Sequence, residues 1–321
     1  MRKKENNYFI FGPEVDYNFK FYVKVLLSYF LDFYFSVILN IINKTVSNKK
    51  YKISICTIFK NESHNFHEWV EYHRIIGIEH FYLYNNFSDD DYLEVLTPYI
   101  EEGLVTLINW PFPMGQFSAY ENFYKNYYSD SSWIIFLDLD EFITLLNKDN
   151  LFDWLEQFKL YPGVILYWKM FGTSGLYEHD FNKLTIEQYH VCWPKMYNIG
   201  KTFINTNFKI AFFDSMVHHS PVFKIKLFCF NILIPSINEF KRFFIYDFHR
   251  VGFLNSNFSV QINHYWSKSY NYYVERKLKR GDVNNHERNI NIFYAHEENN
   301  SSSDYSIFRN IIKLKSIIDE K

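Results

Sequence analysis

An α/β domain built on a largely parallel sheet is the fold this sequence predicts, and three observations predict it. Short apolar runs alternate with segments of helical spacing, the connections between them are brief, and polar turns close several of the runs. At 321 residues, with 48% hydrophobic and 22% charged content, the chain is long and apolar enough to bury a core of that kind.

The N-terminal stretch 19–42 is rich in Phe, Tyr, Leu, Ile and Val, but Lys20, Lys24 and Asp32 interrupt it. Residues 25–42 are 18 in number with one charge, the lower limit for a membrane-spanning helix. A span would set Asp32 mid-bilayer. A helix packed on the domain is the first reading, interfacial attachment the second and a span the third. Lys44, Lys49 and Lys50 would suit an anionic membrane surface. No small-residue cleavage site follows, so a removed signal peptide is not expected.

From Lys52 the pattern changes. Residues 53–59 read as a buried strand ending in the turn Lys60-Asn61-Glu62-Ser63, and 66–76 follow with helical spacing up to Gly77. A second strand over 78–84 closes at Asn85, Asn86 and the acidic run Asp89–Asp91, which reads as a solvated loop or helix cap. A helix precedes Gly103, a third strand covers 104–108, a helix 117–128, and a fourth strand 133–137 ends at Asp138. In open α/β sheets ligands bind beyond the carboxyl ends of the strands. Asn61, Glu62, Asn85, Asp138 and Asp140 therefore fall around one crevice.

Beyond Thr144 the pattern is less regular. It predicts a helix over 151–158, a strand over 163–168, a turn-forming loop at Phe171-Gly172-Thr173-Ser174-Gly175, and a strand pair or membrane-facing insertion over 222–235. A polar loop over 297–303 and an amphipathic helix over 307–318 complete the chain. This divides the molecule into an N-terminal helical, membrane-associating segment (1–50), a folded domain (51–290) and a polar loop with a C-terminal helix (291–321).

The chemistry concentrates in Phe136-Leu137-Asp138-Leu139-Asp140-Glu141-Phe142. Two carboxylates two residues apart, just past an apolar strand, point to the same side if the backbone is extended. Hard oxygen ligands of that kind select Mg²⁺ or Mn²⁺. Such a cation would bridge two donor phosphates and neutralise the charge that builds as a sugar leaves. Aspartyl phosphatases also place Asp-x-Asp after a strand. They place it near the start of the domain with a small hydroxyl residue following, whereas here about 85 residues of α/β pattern precede it and Glu141-Phe142 follows.

The chain resembles glycosyltransferase family 92 and its bacterial relatives among the family 2-like transferases. The matching stretches are residues 58–62, Glu68-Trp69-Val70-Glu71-Tyr72-His73, residues 77–86, residues 136–142, residues 171–175, Val217-His218-His219, Asn263-His264-Tyr265-Trp266-Ser267-Lys268-Ser269 and Lys279-Arg280-Gly281. They cover 52–282 in family order. The resemblance implies a GT-A-like fold, a nucleotide-sugar donor (usually a uridine diphosphate sugar), a divalent cation and an inverting transfer. It implies that Thr57, Asn61 and Glu62 line the nucleotide pocket. Asn85 stands where relatives often carry Asp. Asp138 would face the ribose or the metal and Asp140 would be the principal metal ligand. His264 would complete the metal or phosphate site and Lys268 would neutralise the diphosphate.

Each residue also has a plainer reading. His264, among Tyr265 and Trp266, reads equally as a core histidine, and Lys268 as a solvated lysine. Gln116 touches the donor or caps the helix that it begins. An inverting transfer needs a base opposite the leaving diphosphate; Glu178 and Asp180 in the loop 172–180, and His218, are the candidates. His218 and His219 are adjacent, so their side chains are expected to diverge.

The expected function is transfer of a sugar, plausibly hexose, to a glycan or lipid-linked acceptor in surface polysaccharide or glycoconjugate synthesis. A non-catalytic glycan-binding or membrane-scaffold protein retaining the fold is the alternative, with the phosphatase behind it. A net charge of −2 leaves no basic field for nucleic acid. Cys56, Cys192 and Cys229 lie far apart without metal-ligand spacing, which suits a reducing, cytoplasmic setting, with peripheral contact at the membrane's cytoplasmic face.

Overall fold

The structure is a computed structural model and describes residues 19–42, 49–214, 216–244, 257–279 and 289–320. Lys44, Arg280 and Gly281 of the sequence reading lie outside the described residues.

The N-terminal helix α1 (Phe19–Ile42) leads into the sheet. β1 (Tyr51–Phe59) holds Ile53, Ile55 and Cys56 without exposed surface, the two-sided burial that a central parallel strand requires. After α2 (Ser63–Ile75), β2 (His80–Asn85) pairs with β1 in parallel; after α3 (Tyr92–Glu101), β3 (Val105–Asn109) extends the sheet beyond β2. α4 (Gln116–Asn126) then returns the chain so that β4 (Ser131–Phe136) pairs in parallel with the other side of β1. These strands fall within three residues of the expected bounds. Trp69, Tyr72, Tyr120 and Phe123 fill the layers between sheet and helices.

The second half of the sheet is mixed. β5 (Glu141–Leu145), α5 (Leu151–Glu156), β6 (Gly163–Met170), α6 (Thr185–Gln188), β7 (Val191–Cys192) and β8 (Gly200–Asn205) follow in order. β9 (Lys209–Ile210), β10 (Val222–Leu227) and β11 (Phe230–Pro235) form a small antiparallel sheet, which is the expected strand pair. β12 (Ile237–Asn238) and β13 (Val260–His264) return to the main sheet. Among the described residues that sheet has nine strands in the order β3-β2-β1-β4-β8-β6-β13-β5, with β12 on β6. β8 and β5 run against the others. The expected class, a mixed and mainly parallel sheet flanked by helices, is the one observed.

The antiparallel strands decide what meets at the ligand edge. β4 and β13 end there, while β8 and β5 begin there. Lys201 at the start of β8, Glu141 at the start of β5 and His264 at the end of β13 therefore converge from segments far apart in sequence. Direct pairing of His264 with Glu141 and with Met170 fixes the register.

The C-terminal part differs in detail from the expectation. α7 (Tyr270–Tyr272) runs into a π-helical turn (Tyr273–Leu278), and α8 (Ile290–Glu297) follows. The polar stretch read as a loop contains β14 (Ser302–Ser303), paired with β7. The last helix starts as a 3₁₀ turn (Ser306–Asn310) and becomes α9 (Ile311–Asp319) only after it. α5 stops at Glu156, short of the expected Phe158, after starting at an Asn150 cap that accepts the Asp153 N–H.

α1 is docked along one edge. Asp32, which interrupts its apolar run, forms an ion pair with Arg242 Nε at 2.9 Å and accepts the Phe243 backbone N–H at 3.0 Å, and Arg242 also donates to Ser28 Oγ. Phe35 packs on Phe243. The opposite face, with Phe19, Leu26, Phe30, Phe33 and Ile41, is exposed. By length and composition α1 is one helix able to cross a membrane.

Gly200 is the tightest point of the sheet near the site. A Cβ there would lie 1.7 Å from the Leu166 carbonyl oxygen on β6. Gly200→Ala must push β8 off β6, and we expect a loss of about 2 kcal/mol or more. Chemical denaturation checks it, and a midpoint equal to the parent's contradicts the close approach.

Candidate donor-binding site

Three carboxylates occur within four residues of chain, and the structure neutralises them with lysines from other elements. Leu139 and Asp140 form a turn closed by the Glu141 N–H on the Asp138 carbonyl. The segment is therefore not extended, which corrects the expectation that Asp138 and Asp140 point the same way. Asp138 meets Lys201 at 2.8 Å, and Asp140 meets Lys277 of the π-helical turn at 2.5 Å.

Lys201 and Glu141 are buried beneath Asp138. Glu141 Oε2 accepts the Asp138 N–H at 2.9 Å and lies 3.8 Å from Lys201 Nζ. Burial pushes the Glu141 carboxyl well above the usual carboxylate range, with Lys201 opposing it. Burial pulls the Lys201 ammonium down, but Asp138 and Glu141 more than offset this and hold it above its ordinary value. Burial also works against the charge on Asp140, yet Lys277 and His264 bring its carboxyl well below the ordinary value.

His264 Nε2 is 3.6 Å from Asp140 Oδ1, and its Nδ1 is buried without a partner. The Tyr265 N–H donates to the Asp140 carbonyl at 2.8 Å, so the β13 end and the carboxylate turn are tied through backbone. Burial lowers the His264 pKa from 6.5, against the pull of Asp140, so the ring stays neutral. Trp168 forms the floor, with its ring centroid 4.8 Å from that of His264 and 5.3 Å from that of His219.

A second cluster sits at the β1 turn. Asn61 is in left-handed backbone (φ 55°), a conformation Asn tolerates, and its carbonyl accepts from Arg276 Nη1 at 2.7 Å. Glu62 accepts from Asn65 Nδ2 at 2.5 Å, and Asn65 Oδ1 accepts from Lys268 Nζ at 2.9 Å. Lys268 is buried, lies over the Tyr272 ring and is itself left-handed (φ 48°). Strain of that kind persists where the surroundings over-determine it. Lys268 is thus an enclosed cation rather than a solvated one.

The other expected donor contacts are placed differently. Thr57 is enclosed within β1, its Oγ1 unpartnered. Asn85 is buried at the end of β2, where its amide orders the following loop through Tyr92, Asn109 and the Ser88 N–H. Gln116 opens α4 and donates to the Tyr120 hydroxyl at 3.1 Å.

Among the candidate bases, Glu178 is exposed and accepts from Asn271, while Asp180 is held in its own turn by the Asn182 N–H and Lys183. The loop reaches the Lys268 cluster through His179, which packs on Tyr272 and Tyr189. His218 is buried against Tyr120, its Nδ1 without a partner. Its ring lies 3.9 Å from that of His219, so the two histidines stay together rather than diverge. Burial, then the nearby Lys201, holds His218 well below its ordinary value.

Lys201, Arg276 and Lys277 had no sequence signal of their own. A lysine opening the apolar run Thr202-Phe203-Ile204 was the one hint for Lys201.

Strand-end carboxylates, the His264 imidazole and the lysines that pair with the carboxylates thus gather at one edge of an α/β sheet. The profile of glycosyltransferase family 92 matches residues 49–294, and the chain belongs to that family. A family 92 protein of Oryza sativa subsp. japonica is 28% identical over 123 residues, which are 38% of this chain and 21% of that protein. One from Ricinus communis is 31% identical over 103 residues, 32% of this chain and 18% of that protein. The matched part thus spans about a fifth of these relatives' length. Among solved structures, S. aureus TarS 1-349 in complex with UDP aligns over 40% of this chain and 38% of its own, at 14% identity and a TM-score of 0.29.

If Lys201 balances Asp138 and Glu141, Lys201→Met leaves buried carboxylates uncompensated and costs about 3 kcal/mol. Glu141→Gln added to it restores part of that loss. Urea denaturation of parent, single and double variants checks this; a single variant as stable as the parent contradicts the charge balance.

Proposed function

We propose that this protein is a metal-dependent, inverting glycosyltransferase that moves a hexose from a uridine diphosphate sugar. The acceptor is a glycan or lipid-linked glycan in surface polysaccharide or glycoconjugate synthesis. The observation that carries the reading is the Asp140–His264 pair at the strand ends, flanked by Lys277 and Lys268.

The pair would supply two ligands to a divalent cation; among the described residues no group of three His, Cys, Asp or Glu side chains is placed to hold one, so donor phosphates and water would complete the shell. Two ligands with bonds of about 2.1 Å to one ion lie within about 4 Å of each other, and Asp140 Oδ1 and His264 Nε2 are 3.6 Å apart. A carboxylate that stays ionised and a neutral imidazole suit Mn²⁺, or Mg²⁺ with more water. When bound, the cation would neutralise the diphosphate as the sugar leaves. Asp138, tied to Lys201, would face the ribose or the metal.

The chain's own residues do the rest. Lys277 leaves Asp140 for the donor phosphates, Lys268 and Arg276 hold the diphosphate from the β1 side, and Asn61 and Glu62 border the nucleotide. His218, buried beside Lys201, is one candidate base for the acceptor hydroxyl, with Glu178 and Asp180 the others; burial lowers its affinity for a proton. The exposed α1 face supports peripheral attachment at the cytoplasmic side of a membrane.

Donor hydrolysis and transfer with a uridine diphosphate sugar panel and Mn²⁺ test the reading. Asp140→Asn and chelation are each expected to lower turnover by about 100-fold or more. Undiminished activity in either contradicts metal dependence. Tight donor binding without turnover favours the binding-protein reading, and phosphate release from simple phosphomonoesters the phosphatase.

Cation binding needs the unprotonated His264 ring, whose pKa lies below 6.5. Mn²⁺-supported donor binding should therefore persist as pH falls to 6.5 and weaken only below it. An acid limb above pH 6.5 contradicts that assignment.

A further inference from the structure

The β10–β11 hairpin projects an apolar tip that the fold does not use. Its two-residue loop is Phe228-Cys229, between the paired Leu227 and Phe230. Phe228 is 83% exposed and Phe230 69% exposed. Phe228 also holds φ 53°, at a loop position where hairpins favour Gly, Asn or Asp. A bulky aromatic there carries a steric cost and gains no burial among the described residues.

The outward face of the same sheet is basic. Lys224 and Lys226 point out from β10, while Phe223 and Ile225 point into the core. Lys209 on β9 stands directly beside Lys224. None of the three lysines has an ion-pair partner among the described residues. Exposed phenylalanines beside unpaired lysines match an anionic lipid surface, in which rings enter the interface and ammonium groups meet headgroup phosphates. A protein partner bearing acidic groups would answer the lysines, but an apolar tip at the end of a two-stranded ribbon is shaped to enter a soft interface.

We infer that the hairpin is a membrane-contact element in its own right, which inserts Phe228 and Phe230 into anionic bilayers with Lys209, Lys224 and Lys226 against the headgroups. It does not depend on the transferase reading, nor on α1.

Cys229 makes the test specific. It is exposed at the tip, whereas Cys56 and Cys192 are buried, so an environment-sensitive thiol dye on the folded full chain reports the hairpin. With phosphatidylcholine–phosphatidylserine vesicles the emission should shift to the blue and be quenched by bilayer-embedded spin labels. With pure phosphatidylcholine vesicles the response should be several-fold weaker. Unlabelled Lys224→Glu/Lys226→Glu should bind the anionic vesicles at least about tenfold more weakly in flotation, since each lysine near such a surface contributes about fivefold. Phe228→Ser/Phe230→Ser should weaken flotation as well. Unchanged dye emission while the protein floats assigns the attachment to α1 and overturns the inference, as does a Phe228→Ser/Phe230→Ser variant that floats like the parent. An emission shift that needs no vesicles and follows protein concentration assigns the tip to a second copy of the chain, which also overturns it.

Discussion

A cluster of carboxylates at the edge of an apolar sheet is costly unless cations accompany it, and the arrangement of this molecule follows from that constraint. Asp138, Asp140 and Glu141 sit where β4 gives way to β5. Glu141 is enclosed, and a lone charge there would carry a penalty of several kcal/mol. Lys201 relieves it from β8 and Lys277 relieves Asp140 from the π-helical turn. Two distant segments are thereby bound to the same short turn, so the charge balance helps to fix the tertiary structure.

Sheet topology makes the balance possible. A purely parallel sheet would present only strand carboxyl ends at the ligand edge. Reversing β8 and β5 brings two strand beginnings to that edge, with Lys201 second in β8 and Glu141 first in β5. Backbone bonds then hold His264 and Tyr265 against the carboxylate turn without needing a side-chain bond between Asp140 and His264. The two side chains are left near-neighbouring, 3.6 Å apart.

Much of this was legible in the sequence. The first four strands were evident because two-sided burial makes them continuous apolar runs, and the polar turns that end them were evident for the same reason. Asp140 and His264 stood out as polar residues attached to apolar strands. Lys201 and Lys277 did not, because a lysine is read as solvated unless its tertiary partner is known. Nor does apolar periodicity reveal strand direction, and direction alone tells which end of β8 lies at the site. The local turn at Leu139-Asp140 was hidden because hydrogen bonding between Asp138 and Glu141, not residue spacing, sets the carboxylates apart. Asp32 in α1 reads as an obstacle to a membrane span; in the docked helix it pairs with Arg242, 210 positions later.

In the proposed mechanism Asp140 and His264 hold a cation, and Lys277 competes with it for Asp140. Electron paramagnetic resonance titration of Mn²⁺ measures this without any turnover. One site is expected in the parent chain with uridine diphosphate present. It should be lost in His264→Ala and bind Mn²⁺ more tightly in Lys277→Met when the nucleotide is left out. Mn²⁺ binding that is indifferent to His264, or weakened by removal of Lys277, would contradict the account.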